Sequence, residues 1–344
     1  MDFSFSEDQL AFADAVRDLL GHACPPEAVR AAWSGAGPGY DPELWRRLGD
    51  MGVLGVLAPP ESGGLGLSEV DLVRVLEESG RAALPAPLVE HAAVAVPLLA
   101  AAGRDDLVRS AVAGEAVVTF SDRADRVGWA EESSHLLVAD RGEVRLLAPL
   151  DVTTFSAVTA VDRSQRAAAV GWSGGEVLAG ADLGLAVDRA ALGAAAQLCG
   201  LAAHLIDMTV DYVRQRHQFG APIGSFQAIK HHVANALLSL EHARPAVYRA
   251  AWTVAHQSAT HESAERGRDV SMAKVMAGDA ADLAGRTALQ CHGAIGYTWE
   301  HDLHLWLKRV WVLERAWGGT ARHRARVADA VIGPRSARDV GLGG

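Results

Sequence analysis

Apolar and polar positions follow two different periods along this chain. Leu10, Ala13, Val16, Leu19 and Leu20 recur at helical spacing, and Ser6 stands ahead of them as a capping residue. Pro25 and Pro26 break that run, and residues 35–39 read as a loop. A short helix is expected over 44–48, ending near Gly49. Pro59, Pro60, Gly63, Gly64 and Gly66 then form a second loop, and Ser68 is placed to cap a helix over 69–79. Past Pro85 and Pro87 a further helix is expected over 88–99, bent near Pro97.

From about Leu107 the texture changes. Segments at 115–120, 134–139, 143–147, 156–170 and 176–178 carry β-favouring residues bounded by Gly and Asp. Helical spacing returns at Leu185, with runs at 191–215, 227 to about 262, and 270–290. A last pair begins at 303–316 and is divided at Gly318 and Gly319, while 261–269 is polar and reads as a turn or a helix start. Long apolar stripes of this kind predict an antiparallel bundle. The expected domains are an N-terminal helical domain (1–105), a small, reduced middle β domain (106–184), a C-terminal four-helix bundle (185–335) and a loose tail (336–344).

Composition narrows the class of protein. With 344 residues, 49% of them hydrophobic, the chain can bury a sizeable core and is not disordered. A formal charge of -10 argues against a nucleic-acid partner. Cys24, Cys199 and Cys291 are too scattered for a disulfide framework or a metal site, so a reducing cytoplasm is expected. The first 20 residues are acidic and amphipathic without a basic n-region, so no signal peptide is expected. The apolar run at 92–101 is too short to cross a membrane. The glycines near Gly64 lack the lysine and the strand-to-helix context of a phosphate loop. His301 and His304 lie a helical turn apart, but no cysteine or carboxylate pattern joins them and His292 into a metal site.

The chemistry-bearing stretch is 212–231, YVRQRHQFGAPIGSFQAIKH. It reads as two long helices joined by a tight turn, with Gly220 giving turn freedom and Pro222 restraining the next helix. Arg216 offers a rigid five-donor fork suited to phosphate, and Phe219 offers a ring beside it. A nucleotide-like ligand would suit such a corner. So would a plain helical hairpin whose arginine caps a carbonyl.

This stretch closely resembles the signature of the flavin-dependent acyl-CoA dehydrogenases, carried here by Arg216, Phe219, Gly220, Pro222, Ile223, Phe226 and Gln227. A second motif of that family follows over 290–297, QCHGAIGY. The resemblance covers nearly the whole chain and thins in the middle. It implies the family's fold, FAD as cofactor, acyl-CoA as substrate and an electron-transfer flavoprotein as electron acceptor. It also implies α,β-desaturation of an acyl-CoA thioester, in which a carboxylate takes the α-proton while hydride passes to the flavin. Flavin-contacting roles carry over to Arg216, Phe219, Gln290, Gly293 and Ala294. The usual middle-domain segment that supports the flavin ring is not found: Trp129 and Trp172 stand in loops of a different setting, and 120–129 shortcuts past the first part of it.

The family's base positions are also changed. Counting from Gln290 puts Trp317 at the usual glutamate; aligning on Gly319-Thr320 puts Gly318 there. The alternative position, counted back from Phe219, is Ala190. No catalytic residue is therefore expected, with Asp188 and Glu314 as weak candidates. Retained adenosine-side contacts without ring wall or base resemble one subunit of a heteromer. In such an assembly a homologous larger acyl-CoA dehydrogenase subunit, in an α2β2 tetramer, would supply ring contacts and glutamate. A sterol side-chain CoA is the substrate this resemblance suggests. Small residues such as Ala86, Ala92 and Ala93 could widen a pocket for it or simply pack. A self-sufficient homotetramer with a relocated base, and a non-redox acyl-CoA- or protein-binding pseudoenzyme, are the competing readings.

Overall fold

The computed structural model describes residues 4–35, 37–256 and 263–333. Helix α1 (Glu7–Ala23) opens on a full capping box: Ser6 Oγ accepts from Gln9 N–H and Gln9 Oε1 accepts from Ser6 N–H. The proline pair that ends α1 also starts α2 (Pro26–Trp33), which the periodicity did not predict; Pro26 sits where a first-turn N–H would be unbonded anyway. Helices α3 (Pro42–Asp50) and α4 (Glu69–Arg81) follow. The expected helix over 88–99 is instead a π-helical segment, Val89–Ala95, running into α5 (Val96–Ala101), with Pro97 tolerated in the first turn of α5. Helix α6 (Asp105–Val112) lies where the β texture was expected to begin, and its apolar face packs on α5.

The β region forms two small sheets. One has the order β1 (Val118–Ser121), β3 (His135–Asp140), β4 (Glu143–Leu147), β7 (Glu176–Val177), with β1 and β3 parallel. The other is β2 (Val127–Gly128), β6 (Ala167–Trp172), β5 (Val152–Ala157), so Trp172 ends a strand rather than standing in a loop. Strand alternation divides the side chains. Leu136, Val138 and Leu147 join Val127, Ala168 and Val170 in a small core, while Phe120, Leu137 and Leu146 turn to the main one.

The bundle is built on α7 (Leu183–Gln215), α8 (Gln227–His256) and α9 (Ser263–His292), completed by α10 (Leu303–Arg315) and α11 (Thr320–Ile332). Helix α7 starts eight residues before the expected 191, because Asp182 caps it by accepting from Leu185 N–H. Asp269, expected in a turn or a helix start, lies in the early part of α9, where it accepts from Thr253 Oγ1 at 2.9 Å. Residues 257–262 and the tail expected from 336 lie outside the described residues. Among the described residues α7 alone is long and apolar enough to cross a membrane, and it is the buried axis of the bundle.

Close backbone contact fixes α4 on α7. A Cβ on Gly200 would stand 1.8 Å from Glu77 O, and one on Gly80 2.1 Å from Gln197 O, so only glycine fits either position. Buried ion pairs add orientation. The Arg309 guanidinium of α10 reaches Asp162, Leu84 O and Ser164 Oγ, tying the bundle to both other regions. All three cysteines are buried as free thiols, and desolvation raises each thiol pKa.

Buried histidines make this packing acid-sensitive. His91 accepts from Val118 N–H at 3.0 Å and donates to Ala111 O at 3.2 Å, joining the π-helical segment to β1 and α6. Desolvation pulls His91, His204 and His323 each from 6.5 down to about 4. Between those values the unfolded chain binds the extra protons, so stability is held above pH 6.5 and lost as the pH falls towards 4. Urea unfolding is expected to show a midpoint that drops steadily over this window; a midpoint independent of pH there would contradict the neutral assignments.

Candidate functional site

The long helices bring the two sequence motifs to one end of the bundle. Arg216 closes α7, and its side chain has no partner among the described residues. The chain then makes a tight hairpin, β8 (His217–Gln218) to β9 (Ala221–Pro222), whose turn residues Phe219 and Gly220 have φ of +54° and +80°. Left-handed backbone is costly for a phenylalanine. Phe219 is 94% exposed and touches only the edge of Phe226 among aromatic rings.

The second motif is pinned to the first through Tyr212, one turn before Arg216. The Tyr212 ring stacks on His292 at 4.2 Å, and its hydroxyl donates to His292 O at 3.4 Å. Directly after His292 the chain turns through Gly293, at φ +62°, into a single 3-10 stretch, Gly293–Tyr297. Gln290 and Ala294 are exposed there. The Tyr212–His292 contact thus sets Arg216 and Phe219, past the end of α7, at the same end of the bundle as Gln290, Gly293 and Ala294. The Arg216 fork and the Phe219 ring fit a phosphate and a flat group presented from outside the chain. The histidines nearby serve as packing: His292 meets His301 edge-on, and His304 lies between Trp33 and Trp299.

A separate cleft opens where the β domain, the π-helical segment and the loop between α10 and α11 converge. It encloses about 460 Å³. Phe120 forms its inner wall, and Trp317, which with Gly318 is one of the two residues expected at the base position, stacks on Phe120 with ring centroids 5.7 Å apart and planes 15° from parallel. Trp317 has φ +60°, held by three anchors. Lys274 Nζ, buried in α9, donates to Leu313 O, Glu314 O and Gly318 O; His323 donates to Trp317 O; Glu314 Oε1 accepts from Thr320 N–H at 3.1 Å. A flavin ring fits this cleft poorly, because Trp317 already supplies the aromatic plane against Phe120.

Neither weak candidate for the base faces the cleft freely. Glu314 caps α11 through Thr320, and those hydrogen bonds hold its carboxyl below the usual range despite partial burial. Asp188 is 1% exposed, with Arg266 Nε at 2.9 Å and Arg326 Nη1 at 2.8 Å. Two carboxylates do line the cleft, Asp122 and Glu90, and the periodicity singled out neither. Glu90 stands on the π-helical segment, and desolvation pushes it from 4.5 up to about 7.

A helical domain, a β domain and a helical bundle thus meet at an aromatic cleft. Residues 181–332 match the acyl-CoA dehydrogenase C-terminal domain and residues 6–113 the N-terminal domain. The acyl-CoA dehydrogenase IpdE2 of Mycolicibacterium smegmatis is 35% identical over 306 residues, covering 89% of this chain and 93% of that protein. The chain belongs to the acyl-CoA dehydrogenase family, whose members are flavoprotein oxidoreductases. Among solved structures, the Tcur3481-Tcur3483 steroid ACAD G363A variant is similar with TM-score 0.86 and 23% identity, covering 95% of this chain and 98% of that one. The ChsE4-ChsE5 complex of Mycobacterium tuberculosis is similar with TM-score 0.85 and 24% identity, covering 98% and 100%. Both bear out the expected fold.

Proposed function

We propose that this chain is the flavin-completing, base-free subunit of a heteromeric acyl-CoA dehydrogenase. The observation that carries this reading is the contrast between its two sites. In the cleft, Trp317 stacks on Phe120 at the wall where a flavin ring would lie, while the Arg216–Phe219 corner stands open. FAD, when bound, supplies the hydride acceptor for α,β-desaturation. This chain's part is to hold the pyrophosphate and adenosine end through Arg216, Phe219, Gln290, Gly293 and Ala294. A homologous larger subunit in an α2β2 assembly supplies the ring contacts and the glutamate. The substrate is a steroid side-chain acyl-CoA, a reading supported by the steroid ACAD and the two-component complex among similar structures. Electrons leave to an electron-transfer flavoprotein, and the assembly works in the cytoplasm. A second reading, a self-sufficient homotetramer with a relocated base, draws on Glu90 in the cleft.

Flavin content decides between them. The chain expressed alone is expected to be colourless, and the co-expressed complex to carry one flavin per pair of unlike chains. A yellow homotetramer with one flavin per chain would overturn the half-site reading and direct attention to Glu90.

A further inference from the structure

Resting on the half-site reading, we infer that the cleft of this chain is a non-redox binding site for a ring-bearing oxyanion. Its inner wall is apolar and aromatic: Phe120 is fully buried, and Leu313 and Ala316 flank the Trp317 plane. Its lining is mainly cationic, with five arginines against the carboxylates of Glu90 and Asp122. Arg126, Arg315 and Arg322 are exposed around the mouth. Neither Arg126 nor Arg322 has an ion-pair or side-chain hydrogen-bond partner among the described residues, and Arg315 only approaches Glu314 at 3.9 Å. Arg166 also lines the cleft, but its guanidinium is tied to Glu132 at 2.9 Å and to Gly37 O.

These parts match one chemistry. A flat or alicyclic body packs against the aromatic wall, and a carboxylate or phosphate on it is gripped by guanidinium forks, which suit the two oxyanions equally in shape. The cavity of about 460 Å³ falls within the usual range for a small-molecule site. With flavin held at the corner, this cleft is free to report on a ligand without oxidising it.

The test uses the co-purified complex and three probes of one shape: 1-naphthoate, 1-naphthyl phosphate and the neutral 1-naphthamide. Calorimetric titration is expected to show at least one anion binding roughly tenfold or more tighter than the amide, a ratio set by one or two charge-assisted hydrogen bonds. The stronger anion tells carboxylate from phosphate. The double variant Arg126→Gln, Arg322→Gln is expected to bring that anion down to the amide's affinity. Equal affinity for all three probes, no binding of any, or full anion affinity in the double variant would overturn the inference. Flavin per complex, read on the same samples, keeps the two readings apart. One flavin per unlike pair, unchanged in the variant, leaves the half-site reading standing whatever the probes do. Two per pair, with one lost in the variant, would make the cleft a flavin site and sink the half-site reading itself.

Discussion

Replacing Asp188 with alanine is expected to cost this protein about 3–5 kcal/mol of stability, the usual penalty for breaking a buried ion pair by removing one partner. Asp188 sits in α7 and balances two guanidiniums, Arg266 from α9 and Arg326 from α11. Arg266 is itself 3% exposed, and its Nη1 already lacks a partner. Without the carboxylate a buried positive charge is left against the core of the bundle. Asp188→Asn is expected to cost less, since it keeps one acceptor and the packing volume. Urea unfolding of the three proteins measures the series, and a midpoint unmoved in Asp188→Ala would show that solvent reaches the site. The same result bears on chemistry, because a residue so heavily engaged in structure is a poor proton carrier.

The second large effect is expected at the open corner. In the co-expressed complex, Arg216→Ala is expected to weaken flavin retention by about 10- to 100-fold, the worth of a charge-assisted hydrogen-bonding fork on phosphate. Arg216→Lys should fall between, since a lysine keeps the charge and loses the paired geometry. Dialysis followed by visible absorbance gives the retained flavin. Full retention in Arg216→Ala would remove this chain from the cofactor site. Neither substitution is expected to change folding, because Arg216 lies at the exposed end of α7.

Much of this was legible in the sequence, for identifiable reasons. Capping residues and apolar stripes act locally, so α1, α4 and the bundle helices could be drawn from the chain itself. The corner motif could be read because its turn chemistry and its arginine are neighbours in sequence. What escaped depended on distance or on register. Phe120 and Trp317 are far apart in the chain, and no local pattern announces their stack. The partners that occupy Asp188 and Glu314 in structural work come from other helices or across a turn. Glu90 was hidden by an alanine-rich run that reads as one uniform buried helix. The π-helical register there shifts which residues face inwards, and it aims a carboxylate at the cleft. Helices α2 and α6 were missed because, at eight residues each, they carry too few turns to show a period.

The burial of every native thiol makes the molecule a clean substrate for site-directed labelling. Cys24, Cys199 and Cys291 are each 6% exposed or less, and all are held in the protonated, unreactive form near neutral pH. A Gln218→Cys replacement would place an exposed thiol, beside three buried ones, next to Phe219 on the hairpin. A dye attached there would sense its surroundings at the corner and nowhere else, turning subunit docking into an optical signal.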